Sequence, residues 1–75
     1  GGVFKGWTKP EYAVFLQLNA QADENGVCFP SVRLLARLAG ISSRDVVSAV
    51  KTLEARGTIR VIRTNRSVNH YQVKL

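Results

Sequence analysis

Two periodicities share this chain, and the point where one gives way to the other divides it. From Thr8 to about Ala22 the apolar residues fall at helical spacing. Tyr12, Phe15 and Leu16, with Ala13 and Ala20 beside them, predict its buried stripe. Thr8-Lys9-Pro10-Glu11 opens the helix. Thr8 can cap, Pro10 is tolerated in the first turn, and Glu11 follows Thr8 by three, as a capping box requires. Asp23-Glu24-Asn25-Gly26 reads as a turn, and Val27-Cys28-Phe29 as a short extended run that Pro30 ends. Ser31 can cap a second helix to about Leu38. Leu34, Leu35 and Leu38 are expected inside, and Arg33 and Arg37 on a shared outer face.

The next break is unusually tight. Gly40 is placed to end the second helix in a left-handed cap, Ile41 keeps the turn apolar, and Ser42 caps a third helix with Asp45 three residues on. Val46, Ala49, Val50 and Leu53 form the inner face of that helix, and Gly57 ends it after Arg56. Beyond Gly57 the period changes to two. Thr58-Ile59-Arg60-Val61-Ile62-Arg63 is rich in β-branched residues, and His70 to Leu75 alternates with Tyr71, Val73 and Leu75 on one side. The polar run Thr64 to Asn69 between them makes a hairpin with a basic tip. The order helix, strand, helix, helix, strand, strand predicts an α+β fold.

Charge sharpens the picture. The 75 residues carry eleven Lys and Arg against five Asp and Glu, a net of +6. All seven arginines lie after residue 30, where nine basic residues face only Asp45 and Glu54. Arginine suits bidentate pairing with phosphate or guanine edges, so the asymmetry points to nucleic acid. A chain this short buries only about 60% of its unfolded surface, which leaves one thin core and little room for an enzyme cleft.

The tight corner has a physical reading. Ala36 keeps the second helix slim where the third crosses it, Gly40 permits the turn, Ile41 pins it to the core, and Val46 fills the angle. At this point the sequence resembles the winged helix-turn-helix family. The resemblance rests on Phe29-Pro30-Ser31, Leu35-Ala36 with Gly40-Ile41-Ser42, Val46, Leu53-Glu54-Ala55-Arg56-Gly57 leading into a strand, and the closing Asn69-His70-Tyr71. It runs from Thr8 to Leu75. It looks most like the small winged domains of plasmid and phage replication proteins and of some bacterial regulators. Thr58 stands where that group usually has a bulkier apolar residue.

The resemblance implies a winged helix-turn-helix domain over residues 8–75, with the helix-turn-helix at 31–57 and the wing hairpin at 58–75. Residues 1–7 are then a leader, a linker or a cloning remnant. It implies binding of double-stranded DNA, the third helix showing Ser42, Ser43, Arg44, Val47, Ser48 and Lys51 to the major groove. Arg44 would contact guanine, Val47 a thymine methyl, Ser43 and Ser48 phosphates or base edges, and Lys51 a phosphate. Arg63, Asn65 and Arg66 would form the wing, on the backbone or in a minor groove. Arg37 and Arg56 are expected to pair with Glu54 or solvent. The implied role is a replication initiator or a transcription regulator, in a bacterial cytoplasm at nucleoid, plasmid or phage DNA. A single module binds weakly, so a homodimer or a second domain of the same protein is expected.

Two other partner classes fit the same fold, RNA and protein. Of the aromatic residues Tyr71, Tyr12, Trp7, Phe4, Phe15 and Phe29, most are expected in the core, which argues against single-strand recognition. Serines, Arg44 and Lys51 on the third helix argue against a protein-docking face. Trp7 is expected as a staple near Tyr12, or as a docking residue with Val3 and Phe4. No cofactor, metal or catalytic role is expected. His70 is the only histidine and Cys28 the only cysteine, and there is no phosphate-binding glycine loop or nucleophile elbow. Asp45 and Glu54 stand nine residues apart and out of register on one helix. No run reaches the length of a membrane span.

Overall fold

The computed structural model of the chain describes residues 6–63 and 69–74. Within them the order is α1 (Lys9–Gln21), β1 (Val27–Cys28), α2 (Val32–Ala39), α3 (Ser43–Ala55), β2 (Ile59–Ile62) and β3 (His70–Val73). This is the α+β winged helix layout. The expected hairpin positions Asn65 and Arg66, together with Val3, Phe4 and Leu75, lie outside the described residues.

Each helix begins where its capping residue dictates. Thr8 and Glu11 complete both halves of a capping box at α1. The Ser31 hydroxyl accepts from the Leu34 N–H at 3.0 Å, and the Ser42 hydroxyl from the Asp45 N–H at 3.1 Å. These bonds satisfy backbone donors that the first turn of a helix leaves open. Gly40 closes α2 with φ of 70°, and the Ile41 N–H reaches back to the Ala36 carbonyl at 3.0 Å. The chain therefore turns within three residues and enters α3 at once.

The sheet order is β1-β3-β2, antiparallel throughout. The last strand lies in the middle. β2 and β3 pair from Ile59↔Val73 to Ile62↔His70, while β1 adds Val27↔Gln72 and Cys28↔Tyr71 on the other edge. Ile59, Val61 and Tyr71 turn inward and join Val14, Phe15, Leu18, Leu35, Val46, Ala49, Val50 and Leu53 in one core. Ile59, 1% exposed, supplies the anchor that Thr58 does not.

Two stripes differ from expectation. In α1 the buried side chains are Val14, Phe15 and Leu18, with Glu11, whereas Tyr12 and Leu16 are each 41% exposed and Ala20 is exposed. Between Tyr12 and Leu18 only Gln17 is polar, so periodicity alone leaves the phase of this helix open. Packing against α3 and the sheet chooses it. In α2 only Leu35 is fully buried, and Leu34 and Leu38 sit at the surface. An eight-residue helix that touches the core along one line has room for little more than Leu35, flanked by half-buried Val32 and Ala36.

Arg56 also departs from expectation, because its partner is Glu11 rather than Glu54. Its Nη1 donates to Glu11 Oε1 at 2.7 Å, and its Nη2 to the Gly6 carbonyl at 3.3 Å. The guanidinium lies 5.6 Å from the Trp7 ring centre, and Trp7 meets Phe15 edge-on at 5.3 Å. Trp7, expected near Tyr12, has Phe15 as a ring partner, and the Arg56 contacts tie the start of α1 to the end of α3.

Two outcomes test this account. Gly40→Ala forces an L-residue into the left-handed region in open space and should cost about 1–2 kcal/mol. Gly26→Ala combines a φ of 78° with a Cβ only 3.0 Å from the Val73 carbonyl oxygen, so its melting temperature should fall further. The second outcome concerns acid. The Thr8 hydroxyl, donating at 2.7 Å, is the main force holding the Glu11 carboxyl below its ordinary 4.5, with Arg56 adding to it against burial. A carboxyl depressed in the folded state stabilises above its unfolded pKa, and that contribution fades as pH falls through the folded value. In thermal melts, Glu11→Gln should therefore lower stability at neutral pH, and the gap to the unsubstituted chain should close below pH 4.5.

Candidate nucleic-acid interface

α3 has two dissimilar sides. Val46, Ala49, Val50 and Leu53 are spent on the core, and Ser43, Arg44, Val47, Ser48 and Lys51 are all exposed. Arg44, Ser48 and Lys51 follow one another at spacings of four and three, which sets them in a single outward row. Ser42 stands at the helix N-terminus with its hydroxyl oxygen engaged by the Asp45 amide, and it too is exposed. Asp45 places a carboxylate in this first turn, where the helix dipole favours it. The Thr52 hydroxyl donates to the Ser48 carbonyl at 3.2 Å, so Thr52 is turned back onto its own helix.

Val47, 42% exposed, lies on the flank of that row nearest the hairpin. With Lys51, Arg63, Asn69 and Tyr71 it lines a cleft of about 100 Å³ between α3 and the strands. The structure therefore brings Val47, Lys51 and Arg63 together, with Arg44 and Ser48 beside them on the helix.

Arg63 is engaged. Its Nη1 and Nη2 donate to the two carboxylate oxygens of Glu54 at 2.9 and 3.0 Å. The hydrogen bond and the opposite charge push the Arg63 guanidinium up and hold the Glu54 carboxyl below its ordinary range. The Arg63 side chain is 60% exposed, so the pair is a surface one and a phosphate can compete for the same planar fork. Sequence reasoning picked Arg63 and missed its partner. The signal was in reach: Glu54 stands in the last turn of α3, and β2 starts five residues after it.

Two further titratable groups, Cys28 and Tyr71, serve the core. Burial pushes the Cys28 thiol up, aided by the Asp23 charge, and its Sγ lies 3.5 Å from the Leu18 carbonyl. Burial likewise raises Tyr71, against a hydrogen bond with Asn69. His70 is exposed and packs at 5.5 Å from the Phe29 ring. Among the described residues no group of three His, Cys, Asp or Glu side chains is placed to hold a metal ion. A groove of about 560 Å³ runs between Trp7, Tyr12 and Ala13 of the α1 end and Ala39 to Ile41 of the turn. Among the described residues its lining holds Lys9 and Tyr12 as ionisable groups and no carboxylate. No helix among the described residues is long and apolar enough to cross a membrane.

A capped helix pair turning on a left-handed glycine, a second helix offering a polar face, and a hairpin behind it define a helix-turn-helix domain of winged layout. A sequence model of the helix-turn-helix domain family matches residues 8–59, and the chain belongs to that family. The match takes in all three helices, β1 and the first residue of β2. No curated protein matches the sequence. Membership makes DNA the general partner class, in a family of binding domains rather than enzymes.

The Arg63–Glu54 pair generates a test. Glu54→Ala should release the guanidinium and steepen the fall of log affinity for duplex DNA with log salt by about 0.9, the increment for one added phosphate contact. Anisotropy titrations across a salt series measure that slope.

Proposed function

We propose that this domain binds double-stranded DNA with α3 in the major groove and the hairpin on the flanking backbone or minor groove. The observation that carries the reading is the exposed row Arg44, Ser48 and Lys51 on a helix whose opposite side is wholly buried. Such a helix presents a cationic, hydrogen-bonding edge of the width a major groove admits. Arg44, nearest the helix start, is assigned a guanine O6/N7 pair. Val47 is assigned a thymine methyl, and Ser42, Ser43 and Ser48 are assigned base edges or phosphates. Lys51, one turn further along, is assigned a phosphate.

Arg63 is assigned a phosphate contact in exchange for Glu54, and Asn65 and Arg66 complete the wing. Phosphate contacts supply most of the affinity and make it salt-dependent. In the cell the domain serves a bacterial replication initiator or transcription regulator acting on nucleoid, plasmid or phage DNA. A second copy or a second domain of the same protein supplies the remaining affinity.

The test is fluorescence anisotropy against a labelled random-sequence duplex at two salt concentrations, with Arg44→Ala and Arg66→Ala in parallel. Binding should weaken steeply with salt and with each substitution. On a selected site, loss of a bidentate guanine contact by Arg44→Ala should cost about 1–3 kcal/mol, roughly ten- to a hundredfold. Absence of duplex binding even at low salt would overturn the proposal.

A further inference from the structure

The sheet has a second side. The register places Val27, Gln72 and Arg60 in one cross-strand row, and Ile62 and His70 in the next. Phe29, the residue after β1, continues the second row, its ring 5.5 Å from that of His70 at an interplanar angle of 40°. Alternation sends the neighbours of these residues, Cys28, Val61 and Tyr71, into the core. Phe29, His70 and Ile62 therefore face away from it.

This row is conspicuous for a domain so short of core. Phe29 is 68% exposed, the most exposed of the large hydrophobic side chains among the described residues, and Ile62 is 37% exposed. Folding gains little from an aromatic ring held in water. The strands themselves carry charge of one sign, and Asp23 lines the cleft beside Val27 and Phe29. Arg60 lies one row away, about 7 Å along the strand, and exposed Lys74 follows β3. Neither enters the ion pairs Arg56–Glu11 and Arg63–Glu54. No acid stands at any position of the three strands. Of the carboxylates in the turn before β1, Asp23 caps that turn by accepting from the Asn25 and Val27 N–H groups, and Glu24 lies beyond it.

We infer that this outer face of the sheet is a second nucleic-acid site that takes unpaired bases of a single strand. Phe29 and His70 supply the stacking surface, and Arg60 and Lys74 the neutralisation of its backbone. An exposed aromatic beside a cationic track is the combination by which single strands are held without sequence preference. The apolar part, one phenyl ring and one isoleucine, is far smaller than the roughly 800 Å² per partner of a stable protein interface, but it suffices for a stacked base. None of its residues belongs to the exposed row of α3, so the two sites are separable by substitution. Most of the aromatic residues were expected in the core, and Phe29 is one that the fold leaves exposed.

The test uses the whole chain with labelled oligothymidylate and oligouridylate of about a dozen nucleotides, a length chosen to exceed one stacked site. Anisotropy is read at low salt beside a random-sequence duplex. The chain should bind both single strands. Phe29→Leu, which keeps the bulk and loses the π face, should weaken single-strand binding about tenfold, while Phe29→Trp retains it. Arg60→Ala should reduce its salt dependence, and Arg44→Ala should leave it unchanged. Thermal melts of each variant confirm that the fold is intact.

Four results would overturn the inference: no single-strand binding by the unsubstituted chain; equal binding by Phe29→Leu; losses that track Arg44→Ala; or a change of association state on substituting Phe29, which would make this face a protein contact. Failure of duplex binding alone would overturn the proposed function and leave this site standing.

Discussion

α3 is held by apolar contact along one side, and that contact decides which side is left for a partner. Val46 and Leu53 are wholly buried, with Ala49 and Val50 nearly so, and together they touch α1, α2 and the sheet. A rotation of α3 by one residue, about 100°, would expose branched apolar side chains and bury Arg44 or Lys51 without partners, at a cost of several kcal/mol. The orientation of the polar row is thus an outcome of packing, fixed before any ligand arrives. The turn at Gly40 and the cap at Ser42 then set where along its axis the helix starts.

The few acids are placed with similar economy. Glu11 takes the Arg56 guanidinium and the Thr8 hydroxyl, and Glu54 takes both terminal nitrogens of Arg63. The two pairs bracket the end of α3, one toward the start of the chain and one toward the hairpin. They differ in burial. Glu11 is buried, so its pair is a fixed brace, whereas Glu54 and Arg63 meet at the surface, where competing anions reach them. Capping and pairing together use Asp23, Glu11 and Glu54, Asp45 sits in the first turn of α3, and the positive excess is left on the arginines and lysines of the surface.

Local signals were the most legible part of the sequence. The caps at Thr8, Ser31 and Ser42, the glycine stop at Gly40 and the inner face of α3 follow from residue chemistry acting within a few positions. The phase of α1 and the burial of α2 did not, because their apolar residues are too dense for periodicity to choose a face. Long-range pairs were also hidden: Arg56 and Glu11 lie 45 positions apart, and only the assembled fold brings them together. For the interface, the exposed positions of α3 were readable once its buried row was known. The partner of Arg63 lay within reach, nine positions back, but the outward turn of Phe29 needed the strand register, which no short window of sequence contains.

That register bears on how the molecule is made. β3, the last strand in the chain, is the middle strand of the sheet, so β1 and β2 share no ladder until it arrives. Val27 waits for Gln72 across 45 residues, a loop whose closure entropy must be met before any pairing rewards it. The helices carry their own caps and local hydrogen bonds and can begin to organise earlier. On a ribosome the polar row of α3 would then emerge ahead of the sheet that steadies it, and β3 would close that sheet at both edges at once.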